Sequence, residues 1–278
     1  VNAEALLVPA VVDGKWLNCR VVPYGADQKL LLMRDVTERM RLSKMRRDFV
    51  ANASHELRSP LTVISGYLDS LADDEQMPAG WAKPVEQMQG QAQRMRHILG
   101  ELLELSRLEG ASAAGPQEPV DVAALMRDVK LAFEGHADIA RIEVDPESTA
   151  QLNGNAAEIE TVLVNLLSNA IRFTPADGQI TLTWRSDADG ADLIVADTGE
   201  GIDPEFIPRL TERFFRVDNG RSRDDGGTGL GLAIVKHVLV RHDAELIISS
   251  EPGKGSEFRC LFPAERVVVA PPVSLSQN

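Results

Sequence analysis

The pattern of apolar and polar positions changes twice along the chain, and these changes divide it into three parts. Residues 1–36 contain short apolar runs separated by turn residues such as Asp13-Gly14, which predicts strands at residues 11–12, 16–22 and 30–33. Three short strands are too few for a stable unit. We therefore interpret this part as the end of a larger domain.

Residues 37–110 follow a helical period instead. Apolar side chains recur every three or four positions and occupy about 160° of a helical wheel. The members of this stripe are Met45, Phe49, Ala53, Leu57, Leu61, Ile64, Leu68 and Leu71. After a loop predicted at residues 73–84, a second stripe runs from Met88 to Leu108. One helical hairpin cannot cover so wide an apolar face alone, so we expect two copies to pair as a four-helix bundle.

The third part mixes helical and strand patterns. Residues 111–119 are mostly small or polar and predict a linker, whereas the tail at 264–278 is expected to be disordered. Between them, helices are predicted at 122–133, 156–173 and 230–240, and strands at 139–144, 179–185, 192–196, 244–249 and 257–262. This alternation predicts an α/β sandwich with helices on one face of a sheet. The overall fold class is therefore α+β.

Composition narrows the function classes. The chain has 29 Lys+Arg against 42 Asp+Glu, a net charge of −13, which argues against direct binding to nucleic acid. Cys19 and Cys260 are far apart and are interpreted as reduced cytosolic thiols. No window reaches the roughly 18 apolar residues that a membrane helix needs. Because the chain begins with Val1, a membrane anchor in a segment absent from this chain stays open.

His55 is the first candidate for chemistry. It lies about 200° round the helical wheel from the middle of the apolar stripe, so it is predicted to be exposed, as many histidines without a function are. Glu56 follows it directly, and a carboxylate can accept the proton that an attacking imidazole releases. A zinc-protease HExxH motif is excluded, because Ser59 occupies its fifth position.

A second candidate is the polar face of the helix predicted at 156–173. Asn165, Asn169 and Arg172 lie within about 60° of one another, on a face distinct from the apolar one. A solvated helix surface is the ordinary explanation of such a face. Amide oxygens are nonetheless suitable ligands for Mg²⁺, and an arginine nearby can bind phosphate.

Two glycine-rich segments follow. The segment from Asp197 to Gly201 comes directly after a strand, where a carboxylate can accept a hydrogen bond from the amine of a base, although DxGxG alone is usually a turn. Residues 226–232 lead into a helix and can present backbone N–H groups to an anion. They fit neither a Walker A loop nor a Rossmann fingerprint. Residues 219–227 are interpreted as a mobile lid.

The order of these motifs is more specific than any one of them. SHELRSPL, NLLSNAIRFT, DTGEGI, RFFRVD and GGTGLGLAIVK resemble, in this order, the H, N, G1, F and G2 boxes of sensor histidine kinases, from about residue 35 to 263. Longer strings, such as ANASHELRSPLTVISGYLDSL, resemble the phosphate-regulon subgroup of proteobacteria. The resemblance implies a PAS-like end at 1–36, a dimerisation and phosphotransfer domain at 37–110, and an ATP-binding domain of the Bergerat (GHKL) type at 120–263.

The resemblance also implies roles for single residues. His55 would accept the phosphoryl group of ATP, with Glu56 as general base, and Asn169 would hold Mg²⁺ with support from Asn165. Asp197 would recognise adenine. Ser59 stands where the subgroup usually has threonine, and its hydroxyl would serve phosphatase activity on the response regulator. The other nucleotide contacts that the resemblance implies are Arg172, Phe173, Gly199, Gly201, Phe214, Gly227, Thr228, Gly229, Leu230 and Gly231.

The function implied is that of a homodimeric protein-histidine kinase. It would phosphorylate itself with ATP and pass the phosphoryl group to an aspartate of a response regulator, in phosphate-starvation signalling, as the cytoplasmic portion of a bacterial inner-membrane protein. Two alternatives stay open. A catalytically silent ATP-binding dimeric adaptor would be expected to lack His55, Asn169 or the glycines. An ATPase of the same nucleotide fold, such as a chaperone or mismatch-repair protein, gives the helical hairpin and His55 no role.

Overall fold

The computed structural model describes residues 5–9, 15–24, 28–74, 76–110, 117–134, 140–217 and 227–268. The chain divides into two compact units, Val1–Ser59 and Pro60–Asn278. Each unit is treated by itself below.

The first unit contains an antiparallel sheet of three strands. The strands are β1 (Ala5–Pro9), β2 (Trp16–Tyr24) and β3 (Gln28–Asp35), and β2 lies between the other two. The two predicted strands at 16–22 and 30–33 are confirmed within longer ones, β1 was not predicted, and residues 11–12 lie outside the described residues.

Helix α1 (Thr37–Ala72) begins in the first unit, directly after β3. The Asp35 carboxylate accepts the backbone N–H of Thr37 at 2.9 Å, and the Thr37 hydroxyl accepts the backbone N–H of Trp16 at 2.8 Å. These two bonds fix the start of α1 against β2, because Asp35 satisfies a backbone donor that has no partner inside the helix.

In the second unit, the rest of α1 pairs with α2 (Ala82–Gly110) as the predicted hairpin. Leu61 and Leu68 pack with Ala92 of α2, and Gln89 donates to Asp69 at 2.8 Å. The predicted loop at 73–84 is too long, since a 3₁₀ turn and then α2 begin before Pro84, and proline is tolerated in the first turn of a helix. None of the described helices is both long and apolar enough to cross a membrane.

The remainder of the second unit forms the α/β domain, residues 117–268. Its helices and longer strands match the predicted ones to within about two residues. In chain order they are β4 (Glu118–Val120), α3 (Val122–Phe133), β5 (Arg141–Pro146), β6 (Gln151–Gly154), α4 (Ala156–Phe173), β7 (Gln179–Ser186), β8 (Gly190–Asp197), α5 (Gly231–Arg241), β9 (Glu245–Glu251), β10 (Gly255–Pro263) and β11 (Val267–Val268).

Five of these strands form the main sheet in the order β5-β7-β8-β10-β9, in which only β5 and β7 run parallel. Alternate side chains of β7, from Ile180 to Trp184, are fully buried, as expected for a sheet with one face on the core. Helices α3 and α4 are capped by the residues that precede them, Asp121 and Asn155, whose side chains accept backbone N–H groups of the first turn at 2.8 and 3.1 Å. The predicted α/β sandwich is confirmed.

A smaller sheet, β11-β6-β4, corrects both predicted edges of this domain. Residues 118–119, predicted as linker, belong to β4, and residues 264–268, predicted as disordered, form a 3₁₀ turn and β11. The Arg266 guanidinium, in the 3₁₀ turn before β11, fixes the C-terminal end of the domain by donating to Gln117 at 2.5 Å and to Asp243 at 2.7 Å. Residues 111–116 and 269–278 lie outside the described residues.

The end of α2 packs into the core of the α/β domain. Leu105 and Leu108 are 2% and 3% exposed there. Arg241 of α5 donates to the Leu108 carbonyl at 3.4 Å, near the end of α2 where carbonyls lack helical partners. The same guanidinium makes two bonds, at 2.9 and 3.1 Å, to Glu158, which is buried in the first turn of α4. Helix α2 is thus attached to a buried ion pair of the α/β domain.

Candidate active site

His55 lies on α1 in the first unit, and its side chain is exposed, as predicted. Glu56 and Ser59 are exposed on the same stretch of helix. The histidine is therefore accessible to a reactant in solution, with a carboxylate and a hydroxyl among its near neighbours in sequence. All the other predicted site residues belong to the second unit.

Asp197 ends β8 and is half-buried. Its carboxylate accepts the backbone N–H of Gly199 at 2.8 Å and that of Ser256 on the neighbouring strand β10. Burial raises the pKa of Asp197 above its usual value, and the two N–H bonds oppose this shift by favouring the charged form. The result is a carboxylate held in one orientation at the end of the sheet, able to accept a further donor.

The loop after Asp197 contacts the end of α4. The backbone N–H of Glu200 donates to the Phe173 carbonyl at 3.1 Å. A side chain at Gly199 would overlap this same carbonyl, so only glycine permits the approach. Phe173 itself is 46% exposed, and the Arg172 guanidinium lies 5.1 Å from the centre of its ring. The predicted N and G1 segments therefore meet at the end of α4.

The glycine-rich segment before α5 contacts the polar face of α4. Gly231 lies against Asn165, whose side-chain oxygen would be 2.6 Å from a Cβ at that glycine. Asn165 is held by its own amide nitrogen, which donates to the Thr161 carbonyl at 2.8 Å. Gly227 packs in the same way against the Arg172 guanidinium. Two points of contact thus join the predicted N and G2 segments.

Phe214 joins this group through the backbone. Its N–H donates to the Gly229 carbonyl at 2.8 Å, and its φ of 61° lies in the left-handed region of backbone conformation, which residues other than glycine rarely adopt. The ring is 57% exposed. Nearby, the Thr228 hydroxyl accepts the N–H of Leu230, which is fully buried, at 3.1 Å. Of the predicted lid at 219–227, only Gly227 is described.

Asn169 is half-buried on α4, one turn from Asn165 and one turn before Phe173. The predicted metal ligand therefore lies between Asn165, which contacts Gly231, and the end of α4, where the other two contacts with the glycine-rich segments are made. Its amide oxygen is the type of donor that Mg²⁺ accepts. The four segments predicted as N, G1, F and G2 boxes, which are dispersed over residues 165–231, are thus brought together at one end of the α/β domain.

Sequence reasoning missed the hairpin between β9 and β10. Besides the Ser256 amide, this hairpin brings the Glu251 carbonyl so close to Gly201 that no side chain would fit there. Asp197 and Ser256 are distant in sequence and are paired by the antiparallel register of β8 and β10. Only a correct strand pairing could have identified this contribution.

Comparison with known proteins gives two family matches. Residues 45–111 match the His Kinase A (phospho-acceptor) domain, and residues 154–266 match the histidine kinase-, DNA gyrase B-, and HSP90-like ATPase. The first match contains His55, and the second contains the four segments that meet around α4. The predicted helical-hairpin domain and GHKL-type domain are both confirmed.

Full-length relatives extend the match to nearly the whole chain. The phosphate regulon sensor protein PhoR of Pseudomonas aeruginosa is 46% identical over 275 residues, which are 96% of this chain and 61% of that protein. PhoR of Haemophilus influenzae is 34% identical over 94% of this chain and 62% of its own length. The chain thus spans about three fifths of the length of these relatives.

A solved structure agrees with these matches. Full-length ShkA, crystallised in complex with AMPPNP, is 26% identical and superposes with a TM-score of 0.64 over 80% of this chain and 46% of that one. The fold, the two family matches and the relatives lead to one conclusion: the chain belongs to the sensor histidine kinases.

Proposed function

We propose that the protein is an ATP-dependent protein-histidine kinase that phosphorylates itself on His55. One observation carries this proposal: the predicted N, G1, F and G2 segments come together at one end of a domain of the ATPase family, in a chain whose phospho-acceptor match contains an exposed histidine. ShkA, which shares the fold, was crystallised with AMPPNP.

The residues present suit a magnesium nucleotide. Asp197 offers a fixed carboxylate to an adenine amine, and the Gly227–Gly231 region leads into the N-terminus of α5, where backbone N–H groups favour phosphate. Asn169 would hold Mg²⁺ through its amide oxygen, with Asn165 beside it and Arg172 near the phosphates. Bound Mg²⁺ would neutralise the charge of the phosphate oxygens.

In the proposed reaction, an imidazole nitrogen of His55 attacks the γ-phosphorus of ATP in line with the leaving group. A nitrogen–phosphorus bond forms, the bond from the γ-phosphorus to the bridging oxygen breaks, ADP leaves, and Glu56 accepts the imidazole proton. The phosphoryl group then passes to an aspartate carboxylate of a response regulator. We also propose phosphatase activity on that regulator, in which the Ser59 hydroxyl orients the attacking water.

We propose that the active protein is a homodimer. Most of the apolar stripe predicted for α1 and part of that of α2 stay exposed in one chain, which favours a second hairpin as their cover. The residues concerned, each more than two fifths exposed, are Met45, Phe49, Leu57, Ile64, Leu71, Met88 and Met95.

The cellular setting is part of the same proposal. The PhoR relatives support phosphate-starvation signalling as the pathway. Exposed apolar side chains of β3, from Leu30 to Met33, support the interpretation of residues 1–36 as the end of a PAS-like domain whose other elements cover them. Since ATP is a cytoplasmic substrate, we place these residues on the cytoplasmic side of an inner-membrane protein.

The test is labelling with ATP that is radioactive in its γ-phosphate. The wild-type chain should acquire acid-labile label and pass it to a receiver domain. His55→Ala should abolish labelling and leave ATP binding intact. His97→Ala, which removes an exposed histidine of α2, is the matched control and should label normally.

Two results would contradict the proposal. Acid-labile label that persists in His55→Ala would place the phosphoryl group on another residue. A wild-type chain that binds ATP but never becomes labelled would favour the silent adaptor.

A further inference from the structure

The Ser250 hydroxyl, at the end of β9, makes three polar contacts. It accepts the backbone N–H of Ile202 at 2.7 Å, donates to the Gly255 carbonyl at 2.9 Å and lies 2.9 Å from the Ser256 hydroxyl. A hydroxyl has one hydrogen and two lone pairs. Because Gly255 takes the hydrogen, the Ser256 hydroxyl must donate to Ser250. Every hydrogen-bonding position of Ser250 is therefore used.

Two of the three partners of Ser250 contact Asp197, and the third lies in the loop that follows it. Ser256 donates its backbone N–H to that carboxylate, and Gly255, with a φ of 111°, lies so close to the Asp197 carbonyl that a side chain would overlap it. Ile202 follows Gly201, the last glycine of the loop after Asp197. One side chain thus connects the loop on one side of Asp197 with the strand on its other side.

Ser250 has no place in the five motifs that identified the site. It is half-buried, and it shares a face of β9 with the core residue Ile248. The preceding residue, Ser249, is exposed and points to the opposite face, because side chains alternate along a strand. The chain therefore offers two adjacent serines that differ in their contact with the Asp197 region.

We propose that Ser250 is a positioning residue for purine recognition: it sets the orientation of Asp197 toward the 6-amino group of adenine by fixing Ile202, Gly255 and Ser256. The proposal rests on the assignment of Asp197 as the adenine-recognising residue. Removal of the hydroxyl leaves the Ile202 N–H and the Gly255 carbonyl without this partner and frees the Ser256 hydroxyl to rotate. One or two such lost bonds correspond to about a tenfold weaker interaction.

The experiment compares two nucleotides, MgATP and the magnesium complex of purine riboside triphosphate, which lacks the 6-amino group. Binding to the whole chain is measured by calorimetry for the wild type, Ser250→Ala, Ser250→Thr and Ser249→Ala. In Ser250→Ala, the Kd for ATP should rise about tenfold and the Kd for the purine analogue should change less than about twofold. Ser250→Thr keeps a hydroxyl at this position, and Ser249→Ala leaves Ser250 unchanged. Both variants should therefore keep the wild-type preference for ATP over the purine analogue.

Thermal unfolding of each variant separates positioning from general damage. Equal weakening of both nucleotides in Ser250→Ala, together with a lower melting temperature, would assign Ser250 a structural role only and overturn the inference. Unchanged ATP preference in Ser250→Ala would also overturn it, while the proposed kinase function would stand. Failure of the wild type to bind ATP would overturn the function and the inference together.

Discussion

The buried ion pair between Glu158 and Arg241 gives a stability prediction that can be worked from the structure. Their side chains are 3% and 9% exposed, and two bonds at 2.9 and 3.1 Å join them. Glu158→Gln keeps the shape of the side chain but removes the negative charge of Glu158 from beside the buried guanidinium. Breaking one side of such a pair typically costs about 3–5 kcal/mol. For a domain of this size, this corresponds to a melting temperature lower by roughly 10 °C.

The assay is thermal unfolding followed by tryptophan fluorescence. Trp184 is fully buried in the α/β domain, so a chain that carries Trp16→Phe and Trp81→Phe reports on this domain alone. The matched control is Glu212→Gln, which removes one partner of the exposed Arg209–Glu212 pair. An exposed pair contributes at most about 1 kcal/mol, so the control should melt within a few degrees of the parent.

A double variant tests the reasoning behind this magnitude. Glu158→Leu with Arg241→Met removes both charges and fills the space with apolar groups. It should be more stable than Glu158→Gln, because Glu158→Gln keeps the Arg241 charge buried after the Glu158 charge is lost, whereas the double variant removes both charges. This account would be refuted if Glu158→Gln had the same melting temperature as the parent, or if the double variant had a melting temperature well below that of Glu158→Gln.

Two further predictions concern pH and backbone shape. His242 accepts the Asn155 N–H at 3.1 Å and contacts the Val238 carbonyl at 2.9 Å, and burial lowers its pKa below 6.5 despite nearby Glu158. The free energy of unfolding should therefore fall as the pH drops below 6.5, because the unfolded chain binds the proton more readily than the folded one. Urea unfolding measured at a series of pH values should show this decrease, and His242→Gln should reduce it. Gly255→Ala should abolish ATP binding and lower the melting temperature more than Gly253→Ala does. Both glycines have a positive φ, but a Cβ at Gly255 would overlap the Asp197 carbonyl, whereas a Cβ at Gly253 would meet no atom within 4 Å. Equal effects in the two variants would contradict this steric argument.

The sequence predicted the longer elements of the α/β domain well for identifiable reasons. Helix α4 was predicted at 156–173 and observed there, because its apolar period is strong and Asn155 is a good N-cap. Strands β4, β6 and β11 have only two to four residues, too few to show a period, and all three were missed. Their existence depends on pairing with one another.

The candidate site was predictable in its residues but not in its contacts. Gly199, Gly227 and Gly231 were predicted as nucleotide contacts, yet nothing in the sequence shows that Gly231 meets Asn165 or that Gly227 meets Arg172. The Glu158–Arg241 pair, 83 positions apart, is equally invisible before the fold is known. Such contacts arise from tertiary packing, which local patterns do not encode.

The small sheet β11-β6-β4 has a consequence for how the α/β domain is attached. The chain enters this domain through β4, and the last described strand, β11, lies on the other side of β6. Neighbouring strands are about 4.8 Å apart, and Glu118 and Val268 lie opposite residues of β6 that are three positions apart, so entry and exit lie within roughly 15 Å of each other. Both ends of the α/β domain therefore leave it from the same small sheet. Its two ends could also be joined by a short loop, and the chain reopened elsewhere, with every strand pairing retained.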